Sequence, residues 1–359
     1  MSSTDNSSEI KVGLHIPSPQ LYPLEHVVES AIYIEKNGYD SIWLADHTVS
    51  TPVGEEWPPV LEAWTTLAAI ATQTKTLKLG TSVTDPHRRH PAILAQTATT
   101  LDIISNGRVI LGIGAGEAMN LDPFGIPQNK PVSKMRETIE VMKKLWTGEV
   151  VEHKGEFFDI PYGCLVPTPK KKSIPVWVAA WRPRSLRVTA ELGDGWLPSA
   201  YSPELLRADL ETIRRCALKA GRNVGDIEPG CILPTILTED SDEAKEAAQE
   251  LSVRMRVSIA PSTLRSLGYE GPMEFDIVHW RPDPRSMRVL MEKAAYVPFD
   301  IVKRLITYGT PDECIDRFEE FAEAGLRHFI FLFLGSIEMR KNARRLCTEK
   351  VIPHLKQLS

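Results

Sequence analysis

The stretch RVILGIGAGEAMN, residues 108–120, combines an apolar run with a glycine-rich exit and a single carboxylate. Its apolar part, residues 109–113, has the length of a strand that is covered on both faces, as in a parallel sheet packed between helices. Gly114 and Gly116 then let a ligand or another backbone come close, because glycine has no Cβ. Glu117 stands where the strand ends, so it is a candidate for proton chemistry or for orienting a cofactor. A tight turn with a solvated carboxylate is the alternative.

The composition is that of an ordinary globular protein. The 359 residues are 42% hydrophobic and 25% charged, and this length allows one large α/β domain or two domains. The net charge of −5 gives no electrostatic reason to expect nucleic acid or membrane binding. The five cysteines include no CxxC pair, which disfavours a zinc cluster or a disulfide framework. The opening MSSTDNSSEI lacks the apolar segment of a signal peptide, so we expect a cytoplasmic protein with no metal site.

Apolar runs of strand length alternate with helical patterns along the whole chain. Eight strands separated by helices are typical of an α/β protein of the (β/α)8 TIM barrel class, which is the fold we expect. An open doubly wound sheet stays possible, because the sixth strand is short and one misassigned element changes the count. The predicted strands are residues 11–16, 41–45, 77–83, 108–116, 176–181, 195–199, 232–237 and 326–334.

The domain organisation follows from this alternation. We expect a disordered tail at residues 1–10 and one barrel domain over residues 11–359. Insertions at the C-terminal face of the strands are predicted at residues 118–130, 149–174 and 242–298, the last being rich in proline. Apolar spacing also predicts helices at residues 242–258, 299–308 and 337–358, and a hairpin at residues 150–160.

Polar residues follow several of the predicted strands. Chemistry in a (β/α)8 barrel sits at the C-terminal ends of the strands, which draws attention to His15, Asp46 and His47. An imidazole exchanges protons near neutral pH, and the adjacent carboxylate can hold a polar ligand edge. The alternative to a functional role is that Asp46 caps the loop after the strand and that His47 is simply packed. A dinucleotide fingerprint is disfavoured, because Glu117 stands where its third glycine would be.

Two helix entrances carry basic residues. In the string DPHRRHP, a metal role for His87 and His90 is disfavoured. We expect a structural turn there, with Arg88 and Arg89 solvated or paired with nearby acids. After the fifth strand, Arg182 and the first turn of the next helix suit a phosphate, or form a plain helix cap with surface arginines.

Several short motifs together resemble a known family. They are ADH at residues 45–47, TSV at 81–83, GIGAGEAMN at 112–120, VWVAA at 176–180 and GDGW at 193–196. On these motifs the chain resembles the luciferase-like superfamily and, more narrowly, its branch that uses the deazaflavin coenzyme F420. Within that branch it is similar to phthiodiolone ketoreductases, methylene-tetrahydromethanopterin reductases and F420-dependent glucose-6-phosphate dehydrogenases. The resemblance extends over nearly the whole chain.

The resemblance implies a TIM barrel with a deazaflavin ring in its mouth, a hydride passing between ring carbon C5 and a small-molecule substrate, and a homodimer. It also implies a cis peptide bond between Ser82 and Val83, and an acid/base pair formed by His47 and Glu117. The implied cofactor contacts are Asp46, Ser82, Val83, Thr84, Gly114, Ala115, Gly116, Glu117, Asn120, Ala179, Ala180 and Trp181. Residues expected around the substrate are His15, Thr51, Trp196 and Ser199.

Positions at which this sequence departs from these relatives narrow the range of expected substrates. Thr51 and Ser202 stand where the sugar-phosphate dehydrogenase has Trp and a phosphate-binding Lys, so glucose 6-phosphate is disfavoured. Ser82 and Glu117 also depart from the pterin reductase pattern. We therefore expect an F420-dependent oxidoreductase acting on a carbonyl, alcohol, imine or alkene; an FMN-dependent monooxygenase and a non-catalytic cofactor-binding barrel are the alternatives. Four tryptophans either face an apolar substrate or pack the barrel: Trp57, Trp64, Trp181 and Trp196.

Overall fold

The computed structural model describes residues 9–17, 23–50, 58–258, 261–272, 281 and 283–358. Its strands are β1 (Lys11–Ile16), β2 (Ser41–Leu44), β3 (Lys78–Thr81), β4 (Val109–Ile113), β5 (Val151–Lys154), β6 (Asp159–Gly163), β7 (Val176–Val178), β8 (Gly195–Trp196), β9 (Glu228–Leu237), β10 (Thr307–Gly309) and β11 (His328–Phe333). Its helices are α1 (Leu24–Lys36), α2 (Ala63–Gln73), α3 (Pro91–Ser105), α4 (Ala118–Leu121), α5 (Pro131–Leu145), α6 (Pro183–Leu192), α7 (Pro203–Lys219), α8 (Ser241–Ala248), α9 (Leu251–Ser258), α10 (Pro261–Ser266), α11 (Pro284–Ala295), α12 (Phe299–Leu305), α13 (Pro311–Glu323), α14 (Ile337–Leu346) and α15 (Ile352–Gln357).

Eight parallel strands close into a barrel, in the order β1, β2, β3, β4, β7, β8, β9 and β11. The ring closes because β11 pairs with β1 on one side and with β9 on the other. Helices connect the strands, so the architecture is a (β/α)8 TIM barrel and the prediction of that fold is confirmed. Among the described residues, no helix is both long enough and apolar enough to cross a lipid bilayer.

Alternation along β1 shows which side chains face the barrel interior. Val12, Leu14 and Ile16 belong to the large cluster that lies between the strands and the helices. Successive side chains of a strand point to opposite faces, so Gly13 and His15 face inward. His15 is therefore the last inward-facing residue of β1, at the C-terminal end of the barrel.

Two tryptophans fill the lower part of the barrel interior. The ring centroids of Trp43 and Trp177 are 5.1 Å apart, and both rings belong to an inner cluster with Ile330 and Leu332. A Cβ at residue 80 would lie 2.2 Å from the Trp43 ring, so the close approach of these strands requires Gly80. This packed layer is the floor beneath any site at the C-terminal end.

Helix ends follow the local signals of the sequence. Helix α3 ends at Asn106, whose φ of 58° is left-handed, and Gly107 follows with a φ of 84°. Helix α13 begins with a capping box in which the Thr310 hydroxyl accepts a hydrogen bond from the Glu313 N–H, while the Glu313 carboxylate accepts one from the Thr310 N–H. These caps fix the connections into β4 and out of β10.

Three predicted helices differ from the observed elements. The helix predicted at residues 299–308 ends at Leu305, because Thr307–Gly309 forms a short strand paired with the C-terminal half of β9. The helix predicted at residues 242–258 is broken into α8 and α9, and the break turns both helices toward one cluster that includes Ala248 and Val253. The closing helix runs from α14 to α15 through a π-helical turn at Cys347–Val351.

The insertions have defined structure where they are described. Strands β5 and β6 form the predicted antiparallel hairpin. Within the proline-rich insertion predicted at residues 242–298, α8 to α11 are helical, and residues 259–260, 273–280 and 282 lie outside the described residues. The Glu137 carboxylate of α5 accepts hydrogen bonds from the N–H groups of Phe157 and Phe158, which anchors the hairpin to the barrel.

Candidate active site

The exits of four neighbouring strands meet at one side of the barrel mouth. Strand pairing places Ile16 opposite Leu44 and Leu44 opposite Thr81, so β1, β2 and β3 end at the same level. A further bridge joins Thr84 to Ile113 at the end of β4. The predicted site residues that follow these strands are brought together: His15, Asp46, His47, Ser82, Val83, Thr84 and the loop from Gly114 to Glu117.

His47 and Glu117 form a pair across this side of the mouth. The His47 Nε2 atom lies 3.6 Å from the Glu117 Oε2 atom, and the two side chains are 26% and 29% exposed. Burial lowers the pKa of His47 below its ordinary value, although the Glu117 carboxylate opposes that shift. A partly buried imidazole beside a carboxylate can hold or release a proton at Nε2, which is the chemistry predicted for the pair.

Asn120 supports this pair from α4. Its Nδ2 atom donates a hydrogen bond of 3.4 Å to the Glu117 Oε2 atom, and its Oδ1 atom accepts one of 2.8 Å from the Thr48 N–H. Asn120 is itself buried. It therefore ties the loop after β4 to the residue that follows His47, so its observed role is to orient Glu117.

Asp46 is occupied by protein partners. Its carboxylate is 1% exposed and lies 2.7 Å from a guanidinium nitrogen of Arg89 and 3.1 Å from one of Arg88. Burial raises the pKa of Asp46, but the two guanidinium groups outweigh burial and hold it below its usual range. Both carboxylate oxygens accept hydrogen bonds from Arg89, and the expected contact of this carboxylate with the edge of a cofactor ring stays a prediction.

The same arginines extend the network to further acids. Arg88 also binds Asp85, and Arg89 binds Glu62 at 2.6 Å. Of the two alternatives predicted for these arginines, solvation or pairing with nearby acids, the structure shows the pairing. His90 caps α3, since its Nδ1 atom accepts a hydrogen bond of 3.2 Å from the Ala92 N–H. The turn before α3 is structural, and it holds the exit of β2 against that of β3.

The glycine loop after β4 packs directly against the exit of β3. A Cβ at residue 114 would lie 2.7 Å from the Val83 Cγ2 atom. The His87 Nε2 atom is 3.1 Å from the carbonyl oxygen of Ala115, and the Gln128 side chain donates to that of Gly116 at 3.0 Å. Gly116 has a φ of 95°, which favours glycine. The loop is thus held in place from two sides.

Unpaired polar atoms lie where β1 and β3 end. The peptide bond between Ser82 and Val83 is cis, at the position that the family resemblance implied. Among the described residues, neither the Ser82 Oγ atom nor the His15 Nδ1 atom has a hydrogen-bond partner, although both are buried. Thr84, the next predicted contact along the chain, is held by its backbone: its N–H donates to the Gly112 carbonyl, and its carbonyl accepts from the Gly114 N–H. Buried polar atoms without partners are rare in folded proteins, so these two mark a place for a ligand or water.

The remaining predicted contacts divide between the mouth and the core. Ala179 is 7% exposed and occupies the inward-facing position after Trp177. Ala180 belongs to the cluster between strands and helices, and Trp181 packs against that cluster from a partly buried position. Ser199 is linked to the barrel by a bridge to Ile232.

Trp196 was expected near the substrate, and the structure places it in the core. Its side chain is fully buried in the cluster between strands and helices, where its Nε1 atom donates a hydrogen bond of 2.8 Å to the Ala180 carbonyl. Trp64 is buried in the same cluster. These two tryptophans therefore pack the barrel, whereas Thr51 and Trp57 lie outside the described residues.

Arg182, which follows the fifth barrel strand, is the N-cap residue of α6. The Arg182 N–H donates to the Ser185 hydroxyl at 3.3 Å, and that hydroxyl donates to the Arg182 carbonyl at 3.0 Å. This is the helix-cap arrangement that was one of the two alternatives for this segment. Phosphate binding at this position stays a prediction.

Helices of the last large insertion cover part of the mouth, and one arginine among them was not predicted. Met255 of α9 and Leu290 of α11 pack in one cluster with Met119 of α4, so the last large insertion lies against the exit of β4. Arg256 follows Met255; burial lowers its pKa, and the Glu117 carboxylate opposes that shift. No motif signals this arginine, because it stands in a helix of the insertion and not at a strand exit.

Comparison with known proteins agrees with this geometry. The luciferase-like monooxygenase family matches residues 6–328 of the chain. The phthiodiolone/phenolphthiodiolone dimycocerosates ketoreductase of Mycobacterium tuberculosis is 32% identical over 345 residues, which is 89% of this chain and 90% of that protein. The 5,10-methylenetetrahydromethanopterin reductase of Archaeoglobus fulgidus is 29% identical, over 97% of this chain and 100% of that protein.

Solved structures show the same barrel. An F420-dependent secondary alcohol dehydrogenase in complex with an F420-acetone adduct is 26% identical with a TM-score of 0.80, over 97% of this chain and 99% of that one. The F420-dependent tetrahydromethanopterin reductase from Methanopyrus kandleri is 23% identical, also with a TM-score of 0.80 and the same coverage, and this likeness concerns the fold. Sequence, fold and the meeting of the four strand exits therefore agree: the chain belongs to the luciferase-like monooxygenase family.

Proposed function

We propose that the chain is a coenzyme F420-dependent oxidoreductase that transfers a hydride between the deazaflavin ring and a small organic substrate. The observation that carries this proposal is the His47–Glu117 pair, which lies beside a side-chain-free glycine loop at the barrel mouth. The similar F420-dependent secondary alcohol dehydrogenase, at 26% identity, supports it further. The substrates named for these relatives are not assigned to this chain.

The residues at the mouth fit a flat ring with polar edges. The loop after β4 presents backbone without side chains at Gly114 and Gly116. A Cβ at residue 114 would lie 2.7 Å from Val83, and a Cβ at residue 116 would lie 2.9 Å from His87, so this close packing requires glycine. The unpaired Ser82 Oγ atom offers a hydrogen bond to a polar edge of the ring. The tryptophan floor closes the barrel below. A planar ring held here would be shielded from water on its lower side.

Backbone and small side chains of this chain would hold the cofactor. We infer that Ser82, Val83, Gly114, Gly116 and Ala179 surround the ring, because they follow β3, β4 and β7 at the C-terminal end of the barrel. When bound, reduced F420 supplies a hydride and its oxidised form accepts one. Holding two reactants in one orientation contributes much of the rate of such a reaction.

His47 and Glu117 would manage the proton. Reducing a carbonyl requires a proton on the oxygen, and oxidising an alcohol requires its removal. With its pKa lowered by burial, His47 is mostly neutral near pH 7 and is ready to accept a proton at Nε2. Glu117 stabilises the protonated imidazole from 3.6 Å away, so the pair can serve either direction.

Anaerobic turnover measurements test this proposal. Purified protein is mixed with reduced F420 and a panel of ketones, aldehydes, imines and activated alkenes, and with oxidised F420 and a panel of secondary alcohols. Substrate-dependent change in the deazaflavin absorbance is expected, and the Glu117→Gln variant should bind F420 but turn over slowly. FMN reduction with oxygen consumption would replace the proposal by the monooxygenase. Binding of F420 without turnover of any compound would favour a barrel that has lost catalysis.

A further inference from the structure

The inner face of β1 ends in a histidine that the proton-handling pair does not use. His15 occupies the topmost inward position of β1, beyond Gly13, while its neighbours Leu14 and Ile16 pack outward. Strand pairing sets His15 opposite Trp43, the ring that forms part of the tryptophan floor. The imidazole therefore stands at the boundary between that floor and the open mouth.

This imidazole is buried with an unused nitrogen. His15 is 6% exposed, and its Nδ1 atom has no hydrogen-bond partner among the described residues; backbone groups of Ser82 and of His15 itself lie near the ring without making a hydrogen bond to Nδ1. A buried polar atom without a partner destabilises the fold, and such atoms are often explained by a bound molecule. The unpaired Ser82 Oγ atom lies on the same side of the mouth.

The surroundings keep the ring neutral. Burial first, and then the nearby Arg256 guanidinium and His47, lower the pKa of His15 to about 3. A neutral imidazole cannot supply the substrate with a proton near pH 7, but it can donate or accept one hydrogen bond at Nδ1. The positive charge of Arg256 also favours an oxygen atom that carries partial negative charge.

We propose that His15 is the residue that binds the reacting oxygen of the substrate, through a hydrogen bond at Nδ1, and that the substrate is accordingly a ketone, aldehyde or secondary alcohol and not an imine or alkene. This inference rests on the proposed function, and it gives His15 a role separate from that of the His47–Glu117 pair. His15 holds and polarises the oxygen without changing its protonation state, while His47 and Glu117 move the proton. Such a fixed donor acts most strongly where charge develops in the transition state.

Two variants separate this role from a structural one. His15→Leu removes both ring nitrogens, whereas His15→Asn retains an amide donor near the position of Nδ1. His26→Leu on the exposed face of α1 is the matched control for the loss of a histidine. The measurements are the F420 affinity by cofactor fluorescence, kcat and KM for a ketone panel, and the free energy of unfolding.

The expected result is a loss of about 100-fold or more in kcat/KM for ketones in His15→Leu, as for removal of one oxyanion donor. His15→Asn should recover part of that loss. F420 affinity should stay within twofold in both variants, and His26→Leu should behave as the wild type. Equal turnover of ketones by His15→Leu would overturn the assignment, and so would a loss of F420 affinity that matches the loss of activity.

A readout without turnover uses the F420-loaded protein labelled with ¹⁵N-histidine. Cyclohexanol and cyclohexanone are the probes, and methylcyclohexane is the control of similar size without oxygen. Saturable shifts of the His15 nitrogen resonances with the two oxygen-bearing probes alone are expected. Unchanged His15 resonances, or equal shifts with methylcyclohexane, would overturn the proposal. Failure of the wild type to bind F420 would refute the proposed function itself, and this outcome is recorded before any probe is added.

Discussion

The Nε2 atom of His47 lies 3.6 Å from the Oε2 atom of Glu117, although the two residues follow different strands. They meet because β2, β3 and β4 are parallel neighbours whose C-terminal ends share one edge of the barrel. Asn120 fixes the contact by bonding to Glu117 and to the residue after His47. This contact is the part of the site where proton chemistry can be tested most simply.

Replacing Glu117 by Gln should lower the pKa of His47 further. Burial already lowers this pKa and the carboxylate opposes the shift, so the amide removes the opposing charge. His47 would then lose its proton at a lower pH, and the alkaline fall of ketone reduction should move to lower pH. The rate near pH 7 should drop about 100-fold, as for loss of acid–base assistance. The measurements are an NMR titration of His47 and the pH profile of kcat.

Asp122→Asn is the control for Glu117→Gln. Asp122 lies nearby on the chain and pairs with Arg281, outside the His47–Glu117 contact. It should leave the His47 titration unchanged. An unshifted His47 in Glu117→Gln would show that the two side chains do not interact in solution.

Asp46→Asn should destabilise the fold more than it changes the chemistry. The carboxylate is 1% exposed and pairs with Arg88 and Arg89, so its removal leaves two partly buried cations with one partner fewer. Breaking a buried pair costs about 3–5 kcal/mol. Urea unfolding should show this loss with an unchanged m-value.

An exposed ion pair supplies the comparison for Asp46. Asp300 is 82% exposed and pairs with Lys303, so Asp300→Asn should change the free energy of unfolding by less than about 0.5 kcal/mol. A cost for Asp46→Asn no larger than that of Asp300→Asn would mean that the arginine network does not stabilise the strand exits.

Gly114→Ala should weaken cofactor binding. The added Cβ would lie 2.7 Å from the Val83 Cγ2 atom, so one of the two chain segments must move. Overpacking of this kind costs about 1–3 kcal/mol, and a shifted loop should lower F420 affinity about tenfold. Gly225→Ala is the matched control, because its nearest neighbours are 3.6 Å away in Asn223. Wild-type affinity in Gly114→Ala would place the cofactor elsewhere.

The stability of the protein should fall in acid partly because of His15. Burial, Arg256 and His47 lower the pKa of His15 from 6.5 to about 3, so the unfolded chain binds the proton first. The stability that depends on a neutral His15 is therefore fully present above pH 6.5, and it is lost as the pH falls toward 3. Between pH 7 and pH 5 this group alone should cost about 2 kcal/mol. His15→Leu should show a smaller decrease over that interval in urea unfolding, and an identical decrease would contradict the assignment.

The strands could be predicted because their apolar runs are bounded by polar or glycine-rich turns. The direction of the side chains could not. Strands buried on both faces show no alternation of polar and apolar residues, so nothing in the sequence separates an inward from an outward position. Trp177 lines the barrel interior and Trp196 the outer core, yet both stand in similar apolar surroundings. The expected pocket role of Trp196 was wrong for this reason.

Long-range packing decided the other differences. Thr307–Gly309 is too short to signal a strand, and it pairs with β9 because the chain must return along the barrel edge before α13. Arg256 approaches Glu117 only after α9 folds over the mouth, which depends on contacts of Met255 with Met119. Pairing of Arg88 and Arg89 with acids was one of two alternatives predicted from the sequence, and the identity of those acids was not predicted.

Equilibrium binding of F420 to the purified protein decides whether this barrel holds a deazaflavin, with deazaflavin fluorescence as the signal and FMN as the competitor. We expect saturable binding of one F420 per chain, weakened in Gly114→Ala and unchanged in Gly225→Ala, with FMN binding at least about tenfold more weakly. Absence of F420 binding, or FMN binding that is as tight as that of F420, would contradict the proposed function.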